Sequence, residues 1–366
     1  MRINAYMNWV VIEEQHEKGS MMHAGGKARE DLNSILLSDG FKGLHIIAPR
    51  TDRSKKTLLI RLAYHFIFAQ LWHKAIQVLG SEDVLILQLP ILNDTLFLRN
   101  VLERAKKRKI KIYAYIHDLE LLRSYNDENI TAFSKWRIKR EECKGLKAID
   151  VIIVHNEKMR TFINENMGIP IDRMVALDIF DYLIPEKQAP RSEMESFRSC
   201  IVAGNLIRDK SGYIYNLPVK PDFELYGINF EGACGDNVHY QGAFLADDLP
   251  KHLKGGFGLV WDGDSTDTCR GVWGSYLKYN NPHKTSLYLA SGIPVIIWEK
   301  AAMAKFIIAN GLGITINSLD EINDKLMEMS NEEYMQYKKN AVAISKKLTA
   351  GYYSKRALRK AMNHTH

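Results

Sequence analysis

Short runs of β-branched, aromatic and leucine residues recur along the whole chain, each followed by a longer amphipathic stretch. This alternation limits the possible folds more than any other feature. In the first half the runs are Ile3–Met7, Leu44–Ala48, Val84–Leu89, Ile110–Ile116 and Val151–Val154. Helix-like stretches lie between them at Lys27–Leu37, Leu59–Leu79, Leu96–Lys107, Ala132–Lys147 and Glu157–Asn166. The second half repeats the theme. Its strand candidates are Cys200–Ala203, Phe223–Tyr226, Gly258–Trp261, Pro294–Trp298 and Gly313–Ile316. Its helix candidates are Lys284–Ala290, Ala301–Asn310, Leu319–Met329 and Glu332–Leu348. The apolar runs are too short for ordinary helices, and strands alternating with helices predict parallel sheets covered on both faces.

At 366 residues the chain exceeds the size at which one core stops growing, so two α/β domains are expected. The segment from Pro185 to Pro190, followed by Arg191, suits a linker, because prolines five residues apart disfavour a continuous helix. The expected units are residues 1–184, residues 185–348, and a terminal helix over 349–366. Doubly wound sheets bind ligands at the carboxyl ends of their strands, so a cleft between two facing domains is the expected site.

Several classes fall away. No uncharged apolar run is long enough to span a bilayer; the most apolar stretch, Leu58–Trp72, contains Arg61 and His65. The N-terminal segment lacks the apolar core and small-residue cleavage site of a signal peptide. Cys143, Cys200, Cys234 and Cys269 lie far apart, which argues against a disulfide framework or structural zinc and makes a reducing cytoplasm the default. The +7 net charge suggests an anionic partner. It is unevenly spread. Tyr334 to His366 holds eight Lys or Arg and no Asp or Glu, and Arg50 to Lys147 holds 20 basic and 11 acidic residues. The basic clusters lack interleaved stacking aromatics, which disfavours nucleic acid. A face resting on anionic lipid and a solvated helix face both remain open.

The segment from Tyr276 to Trp298 carries the most chemistry. Asn281 can cap a helix, Pro282 suits its first turn, Gly292 suits its end, and Pro294 opens a strand. Lys278, His283 and Lys284 gather at that helix start, where free N–H groups favour a diphosphate. A second cluster, Ala203 to Lys210, follows a strand. Gly204 and Asn205 form a turn that lets backbone approach a ligand, and Arg208 and Lys210 could reach phosphate oxygens.

The string P-x-K-x-x-x-Y-L-A-x-G-x-P-V-I, from Pro282 to Ile296, resembles the nucleotide-sugar segment of GT-B glycosyltransferases. The longer pattern, Phe257 to Asp264 followed by Tyr276 to Lys284, resembles a narrower bacterial group. That group comprises β-1,6-galactofuranosyltransferases and the glucosyltransferases that extend GlcNAc on serine-rich adhesins. The resemblance implies two Rossmann-like domains facing a cleft, with the last helix crossing back to the first domain. It implies a UDP-sugar donor held by Arg208, Tyr240 and a lysine near Lys278, with Tyr226 a second aromatic candidate. The loop around Gly25, Gly26 and Lys27, with His16 and His23, would border the acceptor.

Asp262 and Asp264 could bind Mn²⁺ or Mg²⁺ as in GT-A transferases, or form an ordinary turn. The two-domain layout favours phosphate neutralisation by Lys and Arg, with no metal and no other cofactor, and leaves Asp262 facing the sugar. Transfer to a hydroxyl needs a base, and His117-Asp118 at a strand end could supply it, Asp118 first. Asp118 could equally cap the next helix. The expected activity is transfer of galactofuranose, or glucose, from a UDP-sugar to a glycan or lipid-linked glycan acceptor, by inversion to a β-linkage. A non-catalytic sugar-nucleotide-binding subunit is the alternative. A cytoplasmic location, a peripheral membrane contact and a homo-oligomer are compatible with this reading.

Overall fold

The computed structural model describes residues 6–14, 24–47, 58–92, 97–124, 130–186, 197–233 and 235–363. The linker expected around 185–190 lies largely outside them, as do His16, His23 and Cys234. The first sheet is built from β1 (Asn8–Glu14), β2 (Lys42–Ile47), β3 (Val84–Leu89), β4 (Lys111–Ile116), β5 (Val151–Val154) and β6 (Met174–Ala176). The second comprises β7 (Ser199–Asn205), β8 (Asp222–Ile228), β9 (Val238–Gly242), β10 (Phe257–Val260), β11 (Val295–Trp298) and β12 (Gly313–Ile316). The first-sheet helices are α1 (Ala24–Ser38), α2 (Leu58–Ile76), α3 (Leu98–Lys107), α4 (Glu120–Ser124), α5 (Ala132–Lys147) and α6 (Glu157–Met167). Those of the second half are α7 (Arg208–Ser211), α8 (Gly271–Tyr276), α9 (His283–Ala290), α10 (Ala304–Ala309), α11 (Glu321–Glu328), α12 (Asn331–Leu348) and α13 (Tyr352–Asn363).

Every strand pair is parallel. The first sheet runs β2-β1-β3-β4-β5-β6, and the second β12-β11-β10-β7-β8-β9. The second order reverses direction between β7 and β10, and such a switch point opens a crevice at the strand ends. This is the GT-B arrangement of two doubly wound domains. Among the described residues no helix is long and apolar enough to cross a membrane.

Alternate residues of the first sheet face two separate cores. Val11, Leu85, Ile112 and Ile152 pack with Trp72, Leu102, Leu146 and Phe162, under α2, α3, α5 and α6. Val10, Ile86, Tyr113 and Ile153 pack with Leu32, Leu36, Ala357 and Leu358, under α1 and α13. That second core runs on without a break into the second domain. The final helix does cross back to the first domain. Asp181 receives the backbone N–H groups of Tyr353 (3.1 Å) and Ser354 (2.6 Å), and Tyr115 donates to the Ser354 carbonyl at 2.8 Å. The α13 half of the basic tail therefore shares a domain with the basic α3–α5 segment but lies on the opposite face of its sheet, while the α12 half packs on α9 of the second domain.

Two strand expectations change. The first described strand is Asn8–Glu14, with Val10 and Val11 its buried residues, one for each face; of the expected Ile3–Met7, residues 3–5 lie outside the described residues, and Tyr6 and Met7 precede the strand. β9 was not expected, because Val-His-Tyr-Gln-Gly is an exposed edge strand without an apolar run. Gly26 and Lys27 lie within α1 and not in a loop before it.

Candidate functional site

A cavity of about 410 Å³ lies between the carboxyl ends of the two sheets. From the first domain it is lined by His117 and Asp118 after β4, His155 after β5, and Phe180 and Tyr182. From the second domain come Gly204 and Asn205 ending β7, Tyr226 and Gly227 in β8, Asp262 after β10, and the first turn of α9. Lys210, Phe244, Trp273 and Tyr276 complete the wall. A Cβ on Gly227 would sit 1.7 Å from the Gly204 carbonyl oxygen, so only glycine permits β7 and β8 to approach at the cavity floor.

The second-domain wall is cationic. The Lys284 ammonium binds Asp262 Oδ1 and the Trp261 carbonyl, each at 2.9 Å. The side chains are 9% and 6% exposed, so the pair is buried. Lys210 reaches over the Trp273 ring at 5.0 Å. Burial lowers its pKa, while Asp262 works in the opposite direction. Asp264 turns away and pairs with Arg270 at 3.1 Å. The two carboxylates therefore have separate cation partners and do not converge.

Three buried histidines surround Phe180, His117 and His155 from the first domain and His283 from the first turn of α9 in the second. His117 stacks on its ring, and His155 and His283 meet it edge-on. Burial drives all three toward the neutral form: His117 well below its usual value, His155 to about 4 and His283 to about 3. His155 Nδ1 accepts the Asn281 N–H at 2.9 Å, and its Nε2 faces the Ile116 carbonyl at 3.1 Å. The proton therefore sits on Nε2. His117 Nε2 lies 2.7 Å from Gln88 Oε1, and the Gln88 amide nitrogen donates to Asn33. That leaves His117 Nδ1 without a partner among the described residues.

His117 and Asp118 are not a hydrogen-bonded pair. Asp118 Oδ1 receives the Tyr276 hydroxyl at 2.5 Å, and Oδ2 lies 3.2 Å from Arg123. The carboxylate also takes the Leu119 N–H at 2.9 Å, at the start of α4. Tyr276 comes from the second domain, so this contact spans the cleft.

Asn281 also spans it. Pro282, not Asn281, is the N-cap of α9. The Asn281 amide donates to the carbonyls of His155 (2.7 Å) and Asp178 (3.1 Å) and accepts from Asn156 (2.7 Å). Lys27 makes a third bridge, binding Asp31 at 2.6 Å and Asp247 of the second domain at 2.7 Å.

Of the sequence-predicted residues, the cavity gathers His117, Asp118, Gly204, Asn205, Tyr226, Asp262, Asn281 and Lys284. Three stand outside its walls. Arg208 lies over the Tyr215 ring at 4.0 Å, Tyr240 stacks on Phe230 and donates to the Gly227 carbonyl, and Lys278 lies over Trp298. Sequence reasoning missed Trp273, Tyr276, His155, Phe180 and Gln88. Tyr276 opens the string quoted above, but nothing in its spacing marks a partner 158 residues away.

Comparison with known proteins places the two domains in a family. The N-terminal and C-terminal domain models described as glucosyltransferase 3-like match residues 8–179 and 200–361. The chain is 36% identical to the β-1,6-galactofuranosyltransferase WbbI of Escherichia coli K12, over 78% of this chain and 81% of that protein. It is 26% identical to glucosyltransferase 3 of Streptococcus gordonii, over 76% and 79%. Among solved structures, a sucrose-phosphate synthase from Thermosynechococcus elongatus aligns over 98% of both chains with a TM-score of 0.64 at 10% identity. WaaG, a glycosyltransferase of lipopolysaccharide biosynthesis, aligns over 96% and 98% with a TM-score of 0.54 at 11% identity; both likenesses concern the fold. With both domain models matched in order, this chain belongs to the glucosyltransferase 3-like family.

Proposed function

We propose that this protein transfers a hexose, galactofuranose by preference and glucose second, from a UDP-sugar to a hydroxyl of a glycan acceptor. One observation carries the reading: a single cavity has a glycine-floored cationic wall on one domain and a carboxylate at a strand end on the other. The family and the 36% identical galactofuranosyltransferase support it.

The chemistry follows from the wall residues. Tyr226, Phe244, Ala246 and Leu249 make an apolar end suited to the uridine. The diphosphate would lie along Gly204 and Gly227 toward Lys210 and Lys284. These cations are already fixed by Asp262, the Trp261 carbonyl and Trp273, so they meet the charge that grows on UDP without reorganising. The sugar would then point at Asp118. That carboxylate is a third exposed, whereas His117 Nδ1 is sealed from solvent, so Asp118 is the group with reach to an acceptor hydroxyl. Tyr276 and Arg123 hold it in one orientation, as a general base requires. Direct attack by the activated hydroxyl inverts an α-linked donor to a β-linked product. Phosphate neutralisation rests on lysines here, and Asp262 and Asp264 serve as ion-pair partners.

The test is a panel of UDP-sugars, including UDP-galactofuranose and UDP-glucose, with a glycan acceptor. UDP release is followed, and the product linkage is read by NMR. Acceptor-dependent release from one of these two donors supports the assignment. Tight donor binding with no transfer to any acceptor would make the chain a sugar-nucleotide-binding subunit.

A further inference from the structure

The first domain carries a second cavity, of about 480 Å³, between α3 and α5 and away from the cleft. It is lined by Arg99, Glu103, Lys106, Lys107, Lys144 and Lys147. Arg99 pairs with Glu103, and Lys106 with Asp150, each at 2.6 Å. Lys107, Lys144 and Lys147 have no ion pair among the described residues. The trough therefore has three cations in excess. Its neighbour Arg108 is spent on the carbonyls of Ile76 at the end of α2 and of Leu79 beyond it, and Arg104 on His73, so these two arginines of the basic 104–109 run are structural.

Helix α5 adds a second, independent feature. Phe133, Trp136, Arg140, Lys144 and Lys147 are spaced by three and four residues, which places them on one stripe of the helix. The stripe is aromatic at one end and cationic at the other. Phe133 and Trp136 are 70% and 54% exposed, with rings 5.9 Å apart, and Arg140 lies over the indole at 5.2 Å. The same helical layer exposes Phe66 and Ile67 on α2 and Phe97 at the start of α3. Large exposed aromatic residues beside excess cations are the composition that partitions into the headgroup region of an anionic bilayer, rings at the acyl boundary and ammonium groups at the phosphates.

We propose that the α2–α3–α5 face of the first domain docks on an anionic lipid bilayer. The α3–α5 trough would receive lipid phosphates, and Phe133 and Trp136 would insert beside it. The proposal does not rest on the reaction above. Glu142 on α5 accepts the N–H groups of Glu120 (2.7 Å) and Leu121 (2.9 Å) at the start of α4, so the docked face would sit one helix from the Asp118 loop. Helix α13, on the opposite face of the sheet, would take no part.

The experiment is sedimentation of the full chain with vesicles of phosphatidylcholine alone or with a third phosphatidylglycerol. Binding is expected to the anionic vesicles only, and to weaken with salt. Each lysine near such a surface is worth about a fivefold change in partitioning, so Lys107→Glu, Lys144→Glu and Lys147→Glu together should weaken binding on the order of 100-fold. Phe133→Ser with Trp136→Ser should weaken it too and abolish quenching by brominated acyl chains. The control Arg359→Glu with Lys360→Glu, on α13, should bind as the parent does, and matched melting curves verify folding. Equal sedimentation with neutral vesicles, no sedimentation with either, an unaffected triple variant, or an equal loss from the α13 control would each overturn the proposal. Capture of an acidic protein or RNA by the trough, without vesicle binding, would do the same.

Discussion

The buried Asp262–Lys284 pair offers a sharp test, because its two halves should have opposite effects on ligand and similar effects on the fold. Both side chains are less than a tenth exposed, and among the described residues the Lys284 ammonium has two partners, Asp262 and the Trp261 carbonyl. Removing the carboxylate alone, as Asp262→Asn, strands that ammonium. Breaking a buried pair from one side costs about 3–5 kcal/mol. At about 2–4 °C per kcal/mol for a domain of this size, the melting temperature should fall by roughly 10 °C. Adding Lys284→Met should recover much of the loss, since no buried charge is left alone. UDP affinity should divide differently. Lys284→Met removes a charge-assisted contact worth about 1.5–3 kcal/mol, so UDP should bind roughly ten- to hundred-fold more weakly. Asp262→Asn frees the same ammonium for the diphosphate, so UDP should bind at least as well as in the parent. Calorimetric titration with UDP, rather than a UDP-sugar, isolates this term, and thermal melting supplies the stability arm. If Asp262→Asn weakens UDP as much as Lys284→Met does, Lys284 is not the phosphate cation and the reasoning fails.

Asp118→Asn should fold and bind UDP yet lose at least 100-fold in acceptor-dependent turnover, read as UDP release; full turnover would remove Asp118 as base. Tyr276→Phe deletes the hydroxyl that holds Asp118 across the cleft, so turnover should drop about tenfold with UDP affinity unchanged, in steady-state kinetics and titration respectively. Glu142 has its folded pKa raised to about 7, mainly by burial, so the folded state keeps a proton that the unfolded state has already lost. Its contribution to stability is therefore complete below about pH 4.5 and is lost as pH rises toward 7. Melting curves between those values should show Glu142→Gln losing less stability with rising pH than the parent; an identical slope would refute the assignment.

Much of the fold was legible because parallel strands covered on both faces are apolar at every position, and a run such as Val-Ile-Ile-Val at 151–154 has no other ready reading. The edge strand β9 escaped for the converse reason: its faces are wet. In the site, strand-end position marked His117, Asp118, Gly204, Asn205 and Asp262, since a doubly wound sheet brings such residues to one rim. Partnership was not legible. The sequence paired His117 with the adjacent Asp118, but successive residues after a strand point different ways, so His117 turned to Gln88 and Asp118 to Tyr276. Asn281 carried the signature of a helix cap, and no local spacing says that a first-domain loop will instead engage its amide. Arg208 came from its place after a strand as well as from family resemblance, and Tyr240 from resemblance alone; side-chain packing sets both beside the cavity, not in it.

The path of α13 bears on how the chain can fold during synthesis. Asp181 finds its two N–H donors, and the sheet face bearing Tyr113 and Ile153 finds its cover, only in α13, made after every other described element. A nascent chain released as far as residue 316 has every strand of the second sheet, while the first domain still lacks one of its walls. The domain translated first is thus completed last, and a fragment ending near residue 186 would expose Tyr115, Ile153 and Val175 to water. Shortening the carboxyl end should accordingly injure the amino-terminal domain, with the second domain its more durable partner.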